Sequence, residues 1–298
     1  MFCEKCGTYI DNDTDLLCPP CSKGSKRVID PALNYCVLKR SVYTYFLLFV
    51  VGSIVFGALA GALYVVLNPS TVVDPNHLTD EYINFISAFS NFFTYLLMTV
   101  VVVLMLKSFI RKDAKAIKND LPRTFLLGFG GWVLVLLAAI AAGYILEFFN
   151  IAQDSANQGE IVSLVKSEYG FLMVLVTIFG APIVEELVFR KAIIDGLERS
   201  TRLNTVVIIL ISSFLFALIH IVAEVAYLFT PGYTIAEAIE GFAQILPYLM
   251  MGVALGFIYK KANNNIIVPM IAHFFQNAFS MLAVFGVIDL TAILTKLF

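Results

Sequence analysis

The chain has 298 residues, of which 59% are hydrophobic and only 14% charged, with a formal net charge of −2. A soluble domain carries about 25% charged residues, so a soluble globular protein is excluded and an all-α polytopic membrane protein is expected. No basic face suggests nucleic acid, and the stretch from Met1 to Cys6 lacks the basic region and apolar core of a signal peptide.

Four of the five cysteines fall in the first 21 residues, as Cys3-x2-Cys6 and Cys18-Pro19-Pro20-Cys21. Each pair lets two thiolates grip one ion from a tight turn, and two pairs complete a tetrahedral zinc site. Residues 1–24 therefore read as a small zinc ribbon whose closed four-thiolate zinc (Cys3, Cys6, Cys18, Cys21) is structural. Residues 25–42 are polar and basic and read as a linker, and Cys36 within them has no assigned role. The membrane domain then runs over 43–298.

Apolar segments follow at about 43–67, 84–110, 124–148, 170–189, 204–223, 242–259, 264–283 and 284–297. A crossing takes about 20 residues, so about eight crossings are expected, the last of them short. The connections alternate in charge. Those at 110–123, 190–203 and 260–263 carry clusters of Lys and Arg. Those at 68–83, 149–169 and 224–241 carry acidic residues, with Lys166 as their one cation. The positive-inside rule then puts the N-terminus, the ribbon and, with Lys296, the C-terminus in the cytoplasm. His77 and the interfacial Lys166 and Glu168 read as surface residues without a role.

The fourth span ends in Pro182-Ile183-Val184-Glu185-Glu186-Leu187-Val188-Phe189-Arg190. Each charge at mid-bilayer costs roughly 2.5–3.5 kcal/mol on insertion scales, so such residues face a bundle interior and are functional by default. Glu186 and Arg190 are i and i+4 and can pair on one face. Glu185 points about 100° away, which leaves it as the candidate base. The next span carries Phe216-x3-His220, at a depth within about one helical turn of Glu185 if the hairpin turns near Ser200–Arg202. The seventh span carries His273-x3-Asn277, again i and i+4. Pro182 and Pro269 sit just before these groups and should loosen a backbone carbonyl in the preceding turn. A carboxylate and a histidine can hold and deprotonate water. A second histidine and an amide can donate to an oxyanion. The same Glu and two His could instead ligate a metal, with water in the fourth position.

Glu185-Glu186-x3-Arg190, Phe216-x3-His220 and His273-x3-Asn277, in this order, resemble the CAAX protease and bacteriocin-processing family of intramembrane proteases. The resemblance covers about residues 120–285. It implies an eight-helix membrane fold with a site open to the cytoplasmic side. It implies that Glu185 and His220 activate water while His273 and Asn277 stabilise the oxyanion. The catalytic metal is left open, because the family has been described both as metalloproteases and as metal-free glutamate proteases. The expected function is an intramembrane endopeptidase acting on a membrane-associated peptide or protein within the lipid bilayer. The ribbon lies outside the family's pattern and offers a surface for a cytosolic protein partner. Ribbons of this kind front many prokaryotic membrane proteins, so a bacterial cell membrane is the expected location. Two other classes compete: a non-catalytic immunity or scaffold protein that retains the fold, and a coupled transporter, which would need a polar path through the bundle.

Overall fold

The computed structural model describes residues 35–287, apart from 71–72, 75–76, 119, 152–154 and 228–233. The cysteine pairs of the expected ribbon, Lys296 and most of the segment 284–297 lie outside the described residues. The described residues are helical, with no strand. In chain order the helices are α1 (Tyr35–Leu67), α2 (Asp80–Lys118), α3 (Leu121–Phe148), α4 (Ala156–Lys166), α5 (Gly170–Ser200), α6 (Thr205–His220), α7 (Val222–Tyr227), α8 (Ile235–Ala243), α9 (Ile245–Lys261) and α10 (Ile267–Val284).

Six runs among these are long and apolar enough to cross a membrane: α1, α2, α3, α5, α8 with α9, and α10. The protein is a multi-pass membrane protein. The seventh apolar helix, α6, has 16 residues. At about 1.5 Å per residue it spans about 24 Å, short of a hydrocarbon core of about 30 Å. It stops at His220, inside the bundle. The described residues thus account for six full-length candidates and one short helix of the eight crossings expected. The helix α1 begins at Tyr35, within the stretch expected to be linker.

Helix α5 is the axis of the bundle. Half of its apolar window is buried, against 17–33% for the other five candidates. Leu187, Val188 and Phe189 of α5 pack with Leu38 and Tyr45 of α1, Met98, Val102 and Leu106 of α2, and Ile208 and Phe216 of α6. The outer faces stay apolar and exposed, with Leu47, Ile54, Leu104, Phe125, Leu210 and Phe257 among them, as a lipid-facing surface requires. Hydrocarbon tails remove the usual hydrophobic drive between helices, so close packing carries the association. Small residues permit it. A Cβ on Gly252 of α9 would lie 2.9 Å from the Ser213 Cβ of α6 and 3.1 Å from its Cα. A Cβ on Gly128 of α3 would lie 2.6 Å from the Ile271 side chain of α10.

The helix ends divide by charge. One face gathers the α1–α2, α3–α4–α5, α6–α7–α8 and C-terminal α10 ends, with Lys166 as its one Lys or Arg among the described residues. The opposite face gathers Lys39, Arg40, Arg111, Lys112, Lys115, Lys118, Arg123, Arg199, Arg202, Lys260 and Lys261.

One charge read from the sequence as a loop residue lies elsewhere. Because α5 continues to Ser200, Lys191 is inside the bundle and 4% exposed. Its Nζ lies 3.2 Å from Asp113 Oδ2 and 3.4 Å from Asp195 Oδ2. It also donates to Tyr259 Oη at 3.0 Å and the Asn264 carbonyl at 2.8 Å. This cluster ties α2, α5 and the α9–α10 turn together near the cation-rich face. Asn263 and Asn264 make that turn with φ of 54° and 58°, a left-handed conformation that asparagine tolerates better than most residues.

Candidate active site

The site starts with an irregularity in α5. Val176–Gly180 form a π-type turn, in which the Ala181 N–H donates to the Val176 carbonyl instead of to Thr177. In that register the next donor, for Thr177, would be residue 182. That residue is proline and has no N–H. The Thr177 carbonyl is left without its helical donors, and the Asn277 side-chain amide of α10 donates to it at 2.7 Å. The loosened carbonyl expected beside Pro182 is therefore the anchor of Asn277. Such π-type turns are frequent at functional sites. A second one, Glu186–Ile194, follows at once and carries Glu186 and Arg190.

Glu186 and Arg190 form the expected pair, with Arg190 Nε 3.2 Å from Glu186 Oε2 and both side chains buried. The contact is an ion pair rather than an aligned hydrogen bond, since neither atom has a hydrogen-bond partner. Arg190 is held further by its Nη2, which donates to the Gly252 carbonyl at 3.4 Å, and by the Phe216 ring, whose centroid is 4.6 Å from its Cζ. The pair does more than neutralise charge. Glu186 Oε1 lies 2.9 Å from His273 Nδ1. Because the carboxylate also faces the guanidinium, it is the acceptor and Nδ1 carries the hydrogen. That fixes the ring so that Nε2 lies 3.9 Å from Glu185 Oε2.

Glu185 itself is 1% exposed. Its Oε1 accepts from the Tyr95 hydroxyl of α2 at 3.2 Å, while Oε2 has no hydrogen-bond partner in the protein. Tyr95 is a site residue that the sequence reading missed, because every catalytic candidate was drawn from the fourth, fifth and seventh spans. The available signal was Asn91-x3-Tyr95, an i and i+4 polar pair in an apolar span, and both residues line the cavity described next. His220 Nδ1 lies 2.8 Å from the Phe216 carbonyl. A carbonyl only accepts, so Nδ1 is the donor and Nε2 keeps its lone pair. The His220 ring also stacks on Tyr248, at 4.5 Å between centroids and 25° between planes.

Glu185, His220, His273 and Asn277 line one cavity of about 530 Å³. The sequence-derived candidates are thus brought together, and Glu186 and Arg190 stand directly behind His273. The lining continues past Tyr248 and Gln244 to Asn157, Gln158 and Glu160 of α4. Tyr248 Oη is 2.9 Å from Ser155 Oγ and accepts from the Asn157 amide at 3.2 Å. Among the described residues, no three His, Cys, Asp or Glu side chains converge as a metal-ligand set.

Replacing Pro182 tests this anchoring directly. In Pro182→Ala the new N–H can serve Thr177, and Asn277 loses its fixed partner. Loss of a positioned group by a fraction of an ångström is costly to rate and not to folding. We expect kcat to fall about 10-fold, with the unfolding midpoint in detergent unchanged or raised. An unchanged kcat would show that the carbonyl does not position Asn277.

Residues 167–279 match the family model for type II CAAX prenyl endopeptidase Rce1-like proteins. The chain is 27% identical over 203 residues to "Putative membrane peptidase YdiL" of Bacillus subtilis (strain 168), covering 67% of this chain and 73% of that protein. It is 26% identical over 137 residues to an uncharacterized protein of Mycoplasma capricolum subsp. capricolum, covering 44% of this chain and 34% of that one. No solved structure matches.

Proposed function

We propose that the protein is an intramembrane endopeptidase of the CAAX-protease type. One observation carries the reading: Glu185, with one carboxylate oxygen unpartnered, shares a buried cavity with His220, His273 and Asn277. The similarity to a CAAX endopeptidase family model and to a membrane peptidase points the same way. In this reading a water binds between Glu185 Oε2 and His220 Nε2. As its oxygen attacks the scissile carbonyl carbon, its proton passes to Glu185. The C=O π pair moves onto the carbonyl oxygen, and that developing charge faces the second amide hydrogen of Asn277 and the Nε2–H of a His273 ring protonated on both nitrogens, its Nδ1–H being bound to Glu186. Collapse of the tetrahedral species re-forms the carbonyl and breaks the C–N bond, and Glu185 returns the proton to the leaving amine. Glu186 orients the His273 ring through its Nδ1–H and stands as its counter-charge, and Tyr95 holds the Glu185 carboxylate. The substrate is a membrane-associated peptide or protein. The test is cleavage of a membrane-anchored reporter by the wild-type chain and by Glu185→Gln. Equal activity in both would remove the hydrolase reading and leave the scaffold alternative.

The zinc ribbon is a second proposal. Its basis is the doubled Cys-x2-Cys spacing of Cys3, Cys6, Cys18 and Cys21. Purified full-length protein should hold about one zinc ion per chain by elemental analysis, lost on replacing Cys18 and Cys21 with serine while the membrane domain stays folded. Zinc content unaffected by the replacements would refute the assignment.

A further inference from the structure

The cavity has a direction. Apart from residues at its floor, its lining comes from the parts of the helices nearest the cation-poor face. Asn91 lies in the first third of α2, and Ser280 and Met281 lie in the last two turns of α10. Ala223 and Ala226 belong to α7, Gln244 and Pro247 to the start of α9, and Asn157, Gln158 and Glu160 to α4. All of α4 and α7 lie in connections on that face. No described Lys or Arg is in the lining. The other direction is blocked. Below Glu185 and Glu186 come Leu187, Val188, Phe189 and Ile194, each 0% exposed, packed on Leu38 and Tyr45. The cluster of Lys191, Asp113, Asp195 and Tyr259 follows.

We infer that the cavity is entered from the extracytoplasmic side. Charge decides the side. Among the described residues, eleven Lys and Arg mark the opposite face and one marks this face, and the retained side of a membrane protein is the cation-rich one. Polar side chains at membrane depth are tolerated where they line a water-filled cavity. Here such a lining leads from Glu160 inward to Glu185. The substrate, in the sense of the hydrolase reading on which this word rests, is then a polypeptide whose scissile segment lies outside the cytoplasm. With Glu160 and Glu185 as carboxylates and no Lys or Arg among its described lining, the cavity suits a neutral or basic segment and repels an acidic one. This departs from the cytoplasmic opening that the sequence resemblance implies.

Thiol labelling tests the route without needing catalysis. Gln158→Cys reports the mouth and Ala223→Cys the interior. Cys36, which is exposed and next to Lys39 and Arg40, reports the opposite face within the same molecule. Sealed cells expressing the full chain are treated with a membrane-impermeant maleimide, and labelling is quantified at each cysteine by mass spectrometry. Both introduced thiols should react at least about 10-fold faster than Cys36 in sealed cells, with the order reversed in inside-out vesicles. Reaction of either from the Cys36 side alone overturns the inference. So does an Ala223→Cys that reacts from neither side while Gln158→Cys reacts from outside, because the route would then be closed. Ala181→Cys, half-buried in the lining one turn before Glu185, repeats the interior measurement if Ala223→Cys does not accumulate. If labelling is as expected and Glu185→Gln still cleaves, the route stands and the hydrolase reading falls.

Discussion

Glu185→Gln should lower kcat by about 10³-fold and leave KM within a few-fold, since a positioned general base contributes typically 10²–10⁴. Glutamine preserves the shape, and its carbonyl oxygen can still accept from the Tyr95 hydroxyl, now 3.2 Å from Glu185 Oε1. The change falls on the other atom. Oε2 has no hydrogen-bond partner in the protein, and an amide NH2 in its place cannot take a proton from water. Folding should not suffer. A carboxylate buried to 1% exposure is a cost to the fold, so its replacement by a neutral isostere should hold or raise the unfolding midpoint. Glu186→Gln separates the two carboxylates. It leaves the buried Arg190 without its counter-charge, and breaking one side of a buried pair costs about 3–5 kcal/mol. Its loss should appear first in stability. Cleavage of a membrane-anchored reporter, followed with thermal unfolding in detergent, reads both effects. Loss of activity from Glu186→Gln with none from Glu185→Gln would exchange the two roles.

The parts of this site that were legible in the sequence are those set by helical spacing. Glu186 and Arg190, and His273 and Asn277, are four residues apart, and a helix puts such residues on one face whatever surrounds them. The depth match between Glu185 and His220 was legible for the same reason, because two antiparallel helices share a rise per residue. What spacing cannot supply is the partner chosen across the bundle. The bond from His273 to Glu186 and the bond from Tyr95 to Glu185 join residues 87 and 90 positions apart. Pro182 announced a loose carbonyl, but not that Asn277, 100 positions from Thr177, would take it. Hydropathy placed seven of the eight expected spans on described helices, with ends displaced by up to 11 residues where the helix runs on, as from 189 to Ser200. It failed where an apolar run continues past the bilayer as helix, which is why Lys191 read as a loop cation. It also passed over α4, whose 11 residues are too short and too polar to register as a span but supply the mouth of the cavity.

Lys191→Met should be the most destabilising single substitution on the cation-rich side. The Nζ has four oxygen neighbours: Asp113 Oδ2 at 3.2 Å, Asp195 Oδ2 at 3.4 Å, Tyr259 Oη at 3.0 Å and the Asn264 carbonyl at 2.8 Å. Methionine fills much of the stem's volume but leaves Asp113 without the cation it pairs with and Asp195 with only the attraction of Arg199. Asp113 keeps the Ile266 N–H at 3.0 Å, and Asp195 keeps the Tyr259 hydroxyl at 2.6 Å and the Asn264 amide at 3.0 Å. Those bonds moderate the loss without cancelling charge. On the scale of 3–5 kcal/mol for a broken buried pair, the unfolding midpoint should fall by on the order of 10 °C. Two further variants distinguish charge from packing. Lys191→Arg keeps the charge but brings a planar fork into a site shaped around one nitrogen, so it should recover little. Lys191→Met with Asp113→Asn and Asp195→Asn removes all three charges and should recover most of the midpoint, because the cost lies in the unpaired carboxylates rather than in the missing amine. If the triple variant were no more stable than Lys191→Met, the cluster would be holding the helices by shape. Its closure of the cation-rich side would then owe nothing to ion pairing.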